Sequence, residues 1–234
     1  MAFSRPWMFF GLALMASGAA MLVWQDRMSH AAAELPPKIA DSSLHDAWKS
    51  LFDGKTLGSW KPIPFGGEGK VHVADGQLVM DEGTMTGVVY TGRELLRDDY
   101  ELSLEGIRLE GSDFFCTTTF PVGKEYCSLV VGGWGGLLVG LSSVDGADAS
   151  ENDTSTVQDL KNDIWYRVRI RVTPAVIDAW INDRQVVHKP REGHRFTTRI
   201  EVDACQPLGI ATWATKGAVK NIRIRSLEKQ TSKP

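Results

Sequence analysis

The sequence predicts an all-β sandwich or jelly roll, and three observations lead to that fold class. Short stretches alternate between apolar and polar residues with a period of two, which is typical of half-buried antiparallel strands. Turn signals such as Asp53-Gly54 and Asp75-Gly76 separate these stretches. No long helical pattern follows residue 47. About a dozen strand candidates result, with the number and spacing that β-sandwiches show.

The clearest strand candidate is WYRVRIRV, residues 165–172. Its apolar side chains from Tyr166 to Val172 share one face, and its arginines share the other with Trp165. Basic residues on a solvated sheet face keep the protein soluble and discourage edge pairing. We favour that interpretation over a groove for an anionic ligand. The next two stretches, VIDAWIN and QVVH, predict a hairpin around Asp183-Arg184.

Composition and charge narrow the classes of function. The 234 residues are 43% hydrophobic, which is enough for the core of one large domain. A net charge of −3 gives no basic footprint for nucleic acid, so no nucleic-acid partner is predicted. The three cysteines include no C-x-x-C pair, so we predict no metal cluster. Cys116 and Cys127 could form a disulfide in an oxidising compartment, or all three could be buried thiols.

The amino terminus has the features of an export signal. Arg5 precedes the uncharged residues 7–24, and the small residues Ala31-Ala32-Ala33 follow them. Residues 7–24 also reach about the minimum length of a membrane helix, so a cleaved signal peptide and an uncleaved anchor both stay open. We expect the protein to be periplasmic, extracellular or attached to the cell envelope. The predicted divisions are an apolar helical signal or anchor at 1–33, a linker at 34–47, the folded domain at 48–228 and a tail at 229–234.

The segment LVVGGWGGLLVGLSS, residues 129–143, holds five glycines and no charge. It lacks the lysine and Ser/Thr register of a phosphate-binding loop, and it is shorter than a membrane span. We therefore predict two strands joined by a glycine turn, where positive φ and close backbone approach are needed. Trp134 at the turn is either a platform for the apolar face of a pyranose or a lid folded onto the core.

Several further segments resemble one known family. They are SLFDGKTLGSW at 50–60, VADGQLVM at 73–80, LLRDDYELSLE at 95–105, IWYRVRI with VIDAWINDRQVV at 164–187, and GAVKNIRIRSL at 217–227. In this order they resemble the 3-keto-disaccharide hydrolase family, also described as 3-keto-α-glucoside 1,2-lyase/3-keto-2-hydroxy-glucal hydratase domains. The resemblance covers residues 48–228. It implies a concanavalin A-like β-sandwich (jelly roll) that acts on glycosides already oxidised at C3.

The reaction that the resemblance implies begins with the C3 ketone, which acidifies the proton on C2. A base removes this proton, the C1 oxygen leaves by β-elimination, and water adds to the resulting 2-hydroxy-glucal. The site needs a base near C2, an acid near the leaving oxygen, and a positive group near the developing enolate. No cofactor is predicted, although a divalent metal could serve as the positive group. This chemistry differs from the two-carboxylate mechanism of ordinary glycosidases.

Two segments depart from the family's pattern. The family's N-S-G-(Ile/Leu)-x-x-R segment and E-x-Q strand correspond to GSDFFCTTTFPVGKEYCSLVVGG here, and its G-L-Q-x-H-G corresponds to GIATWATKG. Asp113 is our first candidate for the base, although a turn aspartate is an equal interpretation. The complete candidate set has three catalytic residues, Asp113, Glu125 and His194, and three substrate-binding residues, Trp134, Trp213 and Trp60.

The leading hypothesis is therefore cleavage or hydration of 3-keto-glycosides. The alternative is a non-catalytic carbohydrate-binding β-sandwich of the cell envelope, in which the tryptophans form a platform. A carbohydrate is the expected partner in both hypotheses, with membrane contact through residues 7–24 if the anchor is retained. The aspartate-rich loop at 142–153 does not fit the EF-hand spacing, and we interpret it as solvated.

Overall fold

The structure is a computed structural model that describes residues 48–93 and 95–227. The predicted signal or anchor and the whole predicted linker lie outside these residues, as do Glu228 and the tail. Among the described residues, no helix is long and apolar enough to cross a membrane. The described chain forms fifteen β-strands, one short helical turn and one 3-10 helix. The prediction of an all-β fold is confirmed.

The strands form two antiparallel sheets. Sheet A contains β1 Lys49–Ser50, β3 Val71–Ala74, β4 Gln77–Met80, β6 Tyr100–Gly111, β11 Tyr166–Val172, β12 Val176–Ile181, β13 Arg184–Pro190 and β15 Thr215–Ser226. Sheet B contains β2 Trp60–Pro62, β5 Met85–Tyr90, β7 Thr117–Val122, β8 Glu125–Gly132, β9 Leu138–Ser142, β10 Thr156–Val157 and β14 Gly209–Trp213. The helical turn Gly133–Gly136 joins β8 to β9, and the 3-10 helix Ile200–Cys205 precedes β14.

The strand order shows how distant parts of the chain meet. Sheet A runs β13-β12-β11-β6-β15-β4-β3, with β1 also paired to β15. Sheet B runs β10-β9-β8-β7-β14-β5-β2. The late strand β14 therefore lies between β5 and β7, and β15, the last strand among the described residues, lies between β6 and β4. The predicted hairpin is confirmed as β12 and β13, with Asn182 and Asp183 at its turn.

The main core lies between the two sheets. The alternating apolar residues of β6 and β11, including Leu102, Leu104 and Ile170, are buried against residues of sheet B such as Phe120 and Leu129. Each sheet thereby removes one apolar face from water, which is the main force that holds a sandwich together. The period-two pattern of the sequence correctly identified this face.

The outer face of sheet A carries buried carboxylates that are paired with arginines. Glu101 is buried between Arg169 and Arg225, accepting hydrogen bonds of 3.0 Å from Arg169 Nη1 and 2.7 Å from Arg225 Nε. Asp178 is also buried and accepts a 2.7 Å hydrogen bond from Arg171 Nη2. These arginines have carboxylate partners within the sheet, which agrees with a solvated structural face rather than a groove for an anionic ligand.

The three cysteines are buried free thiols. Of the two alternatives left open by the sequence, the structure therefore has three buried thiols and not a disulfide between Cys116 and Cys127. Burial raises the pKa of Cys127 and of Cys205 to about 12, and it also raises the pKa of Cys116.

We expect the native protein to resist thiol reagents at pH 8, and the unfolded protein to expose three reactive thiols. The ordinary thiol pKa of 9.0 applies once the chain unfolds. Ionisation of the three thiols therefore favours the unfolded state, so the free energy of unfolding should fall as the pH rises above 9.

A thiol titration before and after denaturation, without reductant, measures this prediction. Fewer than three thiols in the denatured protein would contradict the prediction. A loss of two thiols would indicate one disulfide.

Candidate functional site

The candidate site is a cleft of about 220 Å³ on the face of sheet B that points away from the main core. Residues of β5, β7, β8, β9 and β14 contribute to it, and loops from both ends of the sheet form its walls. Its position depends on the strand order, because β14 brings the late residue Trp213 beside the early residue Met85.

Two exposed tryptophans stand at the cleft. Trp134 is 45% exposed and Trp213 is 38% exposed, which is unusual for such large apolar side chains. Trp213 is the last residue of β14, and its ring centroid lies 6.3 Å from that of Phe114. Both tryptophans line the cleft. The predicted glycine turn is confirmed, and Trp134 lies at the opening instead of folding onto the core.

The glycines of the turn are required by its backbone. Trp134 has a φ of 49°, and Gly135 and Gly136 have φ values of 81° and 100°. A Cβ atom on Gly136 would lie only 2.7 Å from the carbonyl oxygen of Ser112. Glycine therefore allows the turn to pack against the loop that precedes β7, and this contact brings Trp134 to the cleft.

Asp113 lies on the cleft wall and joins the two loops that carry aromatic residues. Its Oδ1 accepts a 2.7 Å hydrogen bond from the backbone N–H of Phe114, and its Oδ2 accepts a 3.1 Å bond from that of Gly135. Its own backbone N–H donates to Thr215 Oγ1 at 3.1 Å. The carboxylate is therefore held in one orientation and retains its place in the cleft lining.

Arg108 supports this wall from behind, and the sequence analysis did not identify it. Its buried guanidinium donates to the backbone oxygen of Asp113 at 3.1 Å, to Asn162 Oδ1 at 2.6 Å, and to the backbone oxygen of Leu160. Burial lowers the pKa of Arg108. A signal was present in the sequence: the period-two pattern of Tyr100, Leu102 and Leu104 continues to position 108, which assigns this arginine to the inner face.

The opposite wall comes from the segment at the start of the 3-10 helix, which the sequence analysis also missed. Arg199 donates from Nη2 to Glu201 Oε1 at 3.0 Å and from Nη1 to Asp148 Oδ2 at 2.6 Å. The hydrogen bond from Arg199 lowers the pKa of Glu201, and the same pair raises the pKa of Arg199. Both residues line the cleft as a charged pair. No motif in TTRIEVDAC indicates this role.

The 3-10 helix is attached to sheet B by a small apolar cluster of its own. Val202 and Cys205 of the helix pack with Met85 and Ala211 of the sheet, apart from the main core. Gly209 allows the close contact, because a Cβ atom there would lie 2.5 Å from Cys205 Cβ. The floor of the cleft beside the helix is formed by short side chains of three neighbouring strands, Thr117, Ser128 and Ser142.

Glu125 and His194 lie away from this cleft. Glu125 Oε2 accepts a 2.9 Å hydrogen bond from the backbone N–H of Phe196, and His194 Nδ1 lies 2.6 Å from Asp145 Oδ2. Both residues line a separate depression, so the structure does not bring them together with Asp113.

Trp60 does not belong to the cleft, which corrects its assignment as a sugar-binding residue. It is 2% exposed and packs in the main core, where its Nε1 donates to the backbone oxygen of Leu51 at 2.9 Å. Neither face of its indole is open to a ligand. Within residues 48–93 and 95–227, no group of three or more His, Cys, Asp or Glu side chains could hold a metal ion.

A sequence model of the 3-keto-alpha-glucoside-1,2-lyase-like domain matches residues 47–225. The chain belongs to this family. The match covers most of the chain and includes every residue of the cleft, so the resemblance seen in the sequence is confirmed. Membership of the 3-keto-alpha-glucoside-1,2-lyase-like family makes the protein a carbohydrate-active β-sandwich domain. No curated protein sequence matches the chain.

Solved structures of the same architecture agree with the fold of this 3-keto-alpha-glucoside-1,2-lyase-like domain. A Crh5 transglycosylase in complex with NAG is 13% identical with a TM-score of 0.55, over 78% of this chain and 85% of the other. A galectin-like protein from Bacillus subtilis is 11% identical with a TM-score of 0.51, over 73% and 90%. A provisionally assigned glycosyl hydrolase from Parabacteroides distasonis is 15% identical with a TM-score of 0.50, over 81% and 98%. At these identities the comparisons show the fold alone.

Proposed function

We propose that the cleft binds a glycoside oxidised at C3 and cleaves or hydrates it through removal of the C2 proton and β-elimination at C1. One observation carries this proposal: an oriented carboxylate, a guanidinium and two exposed indoles line one cleft of a domain that belongs to the lyase-like family. The export signal predicted from the sequence would place the reaction outside the cytoplasm.

The residues of the cleft divide between binding and chemistry. The faces of Trp134 and Trp213 suit the apolar C–H faces of a pyranose. Asp113 acts as the base, because it is a carboxylate in the cleft lining whose direction is fixed by two hydrogen bonds from backbone N–H groups. Arg199 supplies a fixed positive charge that stabilises the negative charge developing on the C3 oxygen.

The bonds change in two stages. The C2–H pair forms the C2–C3 double bond of the enolate as the proton moves to Asp113. When this enolate collapses, the C3 ketone re-forms, a C1–C2 double bond appears, and the C1–O bond breaks. Protonated Asp113 can return its proton to the departing oxygen. Addition of water across C1 and C2 of the glucal completes hydration.

The size of the cleft limits what it encloses. Its volume of about 220 Å³ is below the roughly 300–1,000 Å³ of pockets that enclose drug-sized ligands. We therefore place the oxidised sugar ring inside the cleft and the leaving group at its opening.

The direct test is incubation of the protein with a panel of 3-keto-disaccharides, followed for a glucal intermediate and for released sugar. We expect turnover of at least one member of the panel. An unchanged panel, at protein concentrations that show sugar binding, would contradict the catalytic proposal.

The second candidate function is sugar binding without turnover. The observation that favours it is the state of Asp113, because both of its carboxylate oxygens already accept backbone hydrogen bonds. The separation of Asp113 from Glu125 and His194 points in the same direction. In that case the unchanged panel is the expected result.

Both candidates predict that the exposed indoles contribute to sugar binding. Trp134→Ala and Trp213→Ala should each weaken binding about tenfold, because each removes a large stacking surface. Isothermal titration with the best-bound sugar measures the change. Trp180→Ala is the matched control, because Trp180 lies in sheet A under the guanidinium of Arg169. Equal losses in all three variants would contradict the assignment.

A further inference from the structure

Two hydroxyl groups on the floor of the cleft are buried without a hydrogen-bond partner. Thr117 is 3% exposed and Ser142 is 2% exposed, and both residues line the cleft. Neither Thr117 Oγ1 nor Ser142 Oγ has a partner among the described residues. A buried hydroxyl without a partner costs stability, and such groups in native proteins require an explanation.

Two neighbouring hydroxyls, those of Ser128 and Thr118, have hydrogen-bond partners. Ser128, on the same floor, lies with its Oγ 2.8 Å from Thr119 Oγ1. Thr118 faces the core and donates to the backbone oxygen of Cys116 at 2.9 Å. Within the described chain, Thr117 Oγ1 and Ser142 Oγ are the two fully enclosed hydroxyl oxygens without a partner. Both of them face the same cleft.

The charges around the cleft indicate what kind of ligand fits these groups. Arg199 is already paired with Glu201 and Asp148, and Asp113 adds a further carboxylate. Two carboxylates, Asp113 and Glu201, thus accompany one guanidinium at the walls, and Asp148 pairs with that guanidinium from outside the lining, so Arg108 behind the wall does not reverse the balance. An anionic ligand would meet no surplus of positive charge. A serine or threonine hydroxyl, in contrast, can donate to or accept from an uncharged oxygen.

We propose that Thr117 and Ser142 are specificity-determining residues that form hydrogen bonds with uncharged oxygens of the bound sugar. The cleft therefore selects neutral sugars over sugar acids and sugar phosphates. This inference rests on the proposed function only in that the cleft must accept a sugar; it holds for a lyase and for a binding module. The cost of the unpaired hydroxyls in the free protein is offset when the sugar binds.

The test uses the variants Thr117→Val and Ser142→Ala, which remove the hydroxyl and retain most of the side-chain shape. In the free protein we expect an unchanged or higher melting temperature, because an unpaired buried polar atom is removed. Affinity for methyl α-glucoside or its 3-keto derivative should fall roughly three- to tenfold in each variant. A hydroxyl with a purely structural role would lower the melting temperature instead.

Two controls complete the experiment. Ser103→Ala makes the same chemical change at a buried position of sheet A and should leave affinity unchanged. Methyl α-glucuronide, which replaces the C6 alcohol with a carboxylate, should bind the wild-type protein at least about tenfold more weakly than the glucoside.

Unchanged affinity in both cleft variants, with sugar binding to the wild type intact, would overturn this inference and leave the proposed function standing. Lower melting temperatures in both variants, or equal binding of the glucuronide, would also overturn it. Failure of the wild-type protein to bind either glucoside would overturn the proposed function and this inference together.

Discussion

Replacing Asp113 with asparagine is expected to reduce the turnover of a 3-keto-glycoside by about 10²–10⁴-fold, because a positioned general base contributes a factor of that order. Asparagine has the same size and retains one oxygen acceptor for the backbone N–H of Phe114 or Gly135. The loop should therefore remain in place while the group that receives the C2 proton is lost. Steady-state kinetics on the best substrate of the panel measures the change in kcat.

Asp145→Asn is the matched control for this substitution. Asp145 also accepts two hydrogen bonds, 2.6 Å from His194 Nδ1 and 2.8 Å from the backbone N–H of Arg195, and it lies outside the cleft lining. We expect its kcat to stay within about twofold of the wild-type value, since surface changes away from the chemistry have small effects. A D113N protein that retains wild-type kcat would exclude Asp113 as the base.

Arg108→Met is expected to lower the free energy of unfolding by about 3 kcal/mol, since it leaves the buried carbonyl oxygen of Leu160 and two oxygens of part-buried hydrogen bonds without their donor. The guanidinium of Arg108 is shared by Asp113, Leu160 and Asn162, which belong to two separate loops. Methionine fills much of the same volume, so the lost hydrogen bonds and charge dominate the change. Chemical denaturation monitored by tryptophan fluorescence measures the difference.

The control for Arg108 is an arginine of the same sheet whose ion pair is exposed. Arg167 pairs with Asp183 at the surface, so Arg167→Met should cost less than about 1 kcal/mol. Arg108→Met should also reduce sugar affinity, because Asp113 and the glycine turn lose their support. If both substitutions cost the same, Arg108 is not the support inferred from the structure.

The fold could be predicted because the information for it is local. Alternation of apolar and polar residues in β6 and β11 assigned the buried face, and turn residues marked where the strands end. The order of strands in the sheets is not local information. β14 lies between β5 and β7 because of contacts across the whole chain, and no sequence window contains that fact.

The candidate site shows the same division. Asp113, Trp134 and Trp213 drew attention as a polar loop residue and as tryptophans in glycine-rich or divergent segments, and the structure brings them to one cleft. Trp60 belonged to an equally distinctive motif, but its indole serves the core. Arg199 and Glu201 were not predicted as site residues. They line the cleft because the segment before β14 crosses sheet B, and no motif in the sequence indicates that path.

The separate apolar cluster under the 3-10 helix has a consequence for how this scaffold can diverge. Val202 and Cys205 pack outside the main core, so the segment that forms one wall of the cleft can change in sequence without altering that core. Substitutions or length changes in that segment can alter what the protein accepts without disturbing the layers that keep it folded. Related proteins can therefore share one framework and differ in selectivity by exchanging a short stretch of chain.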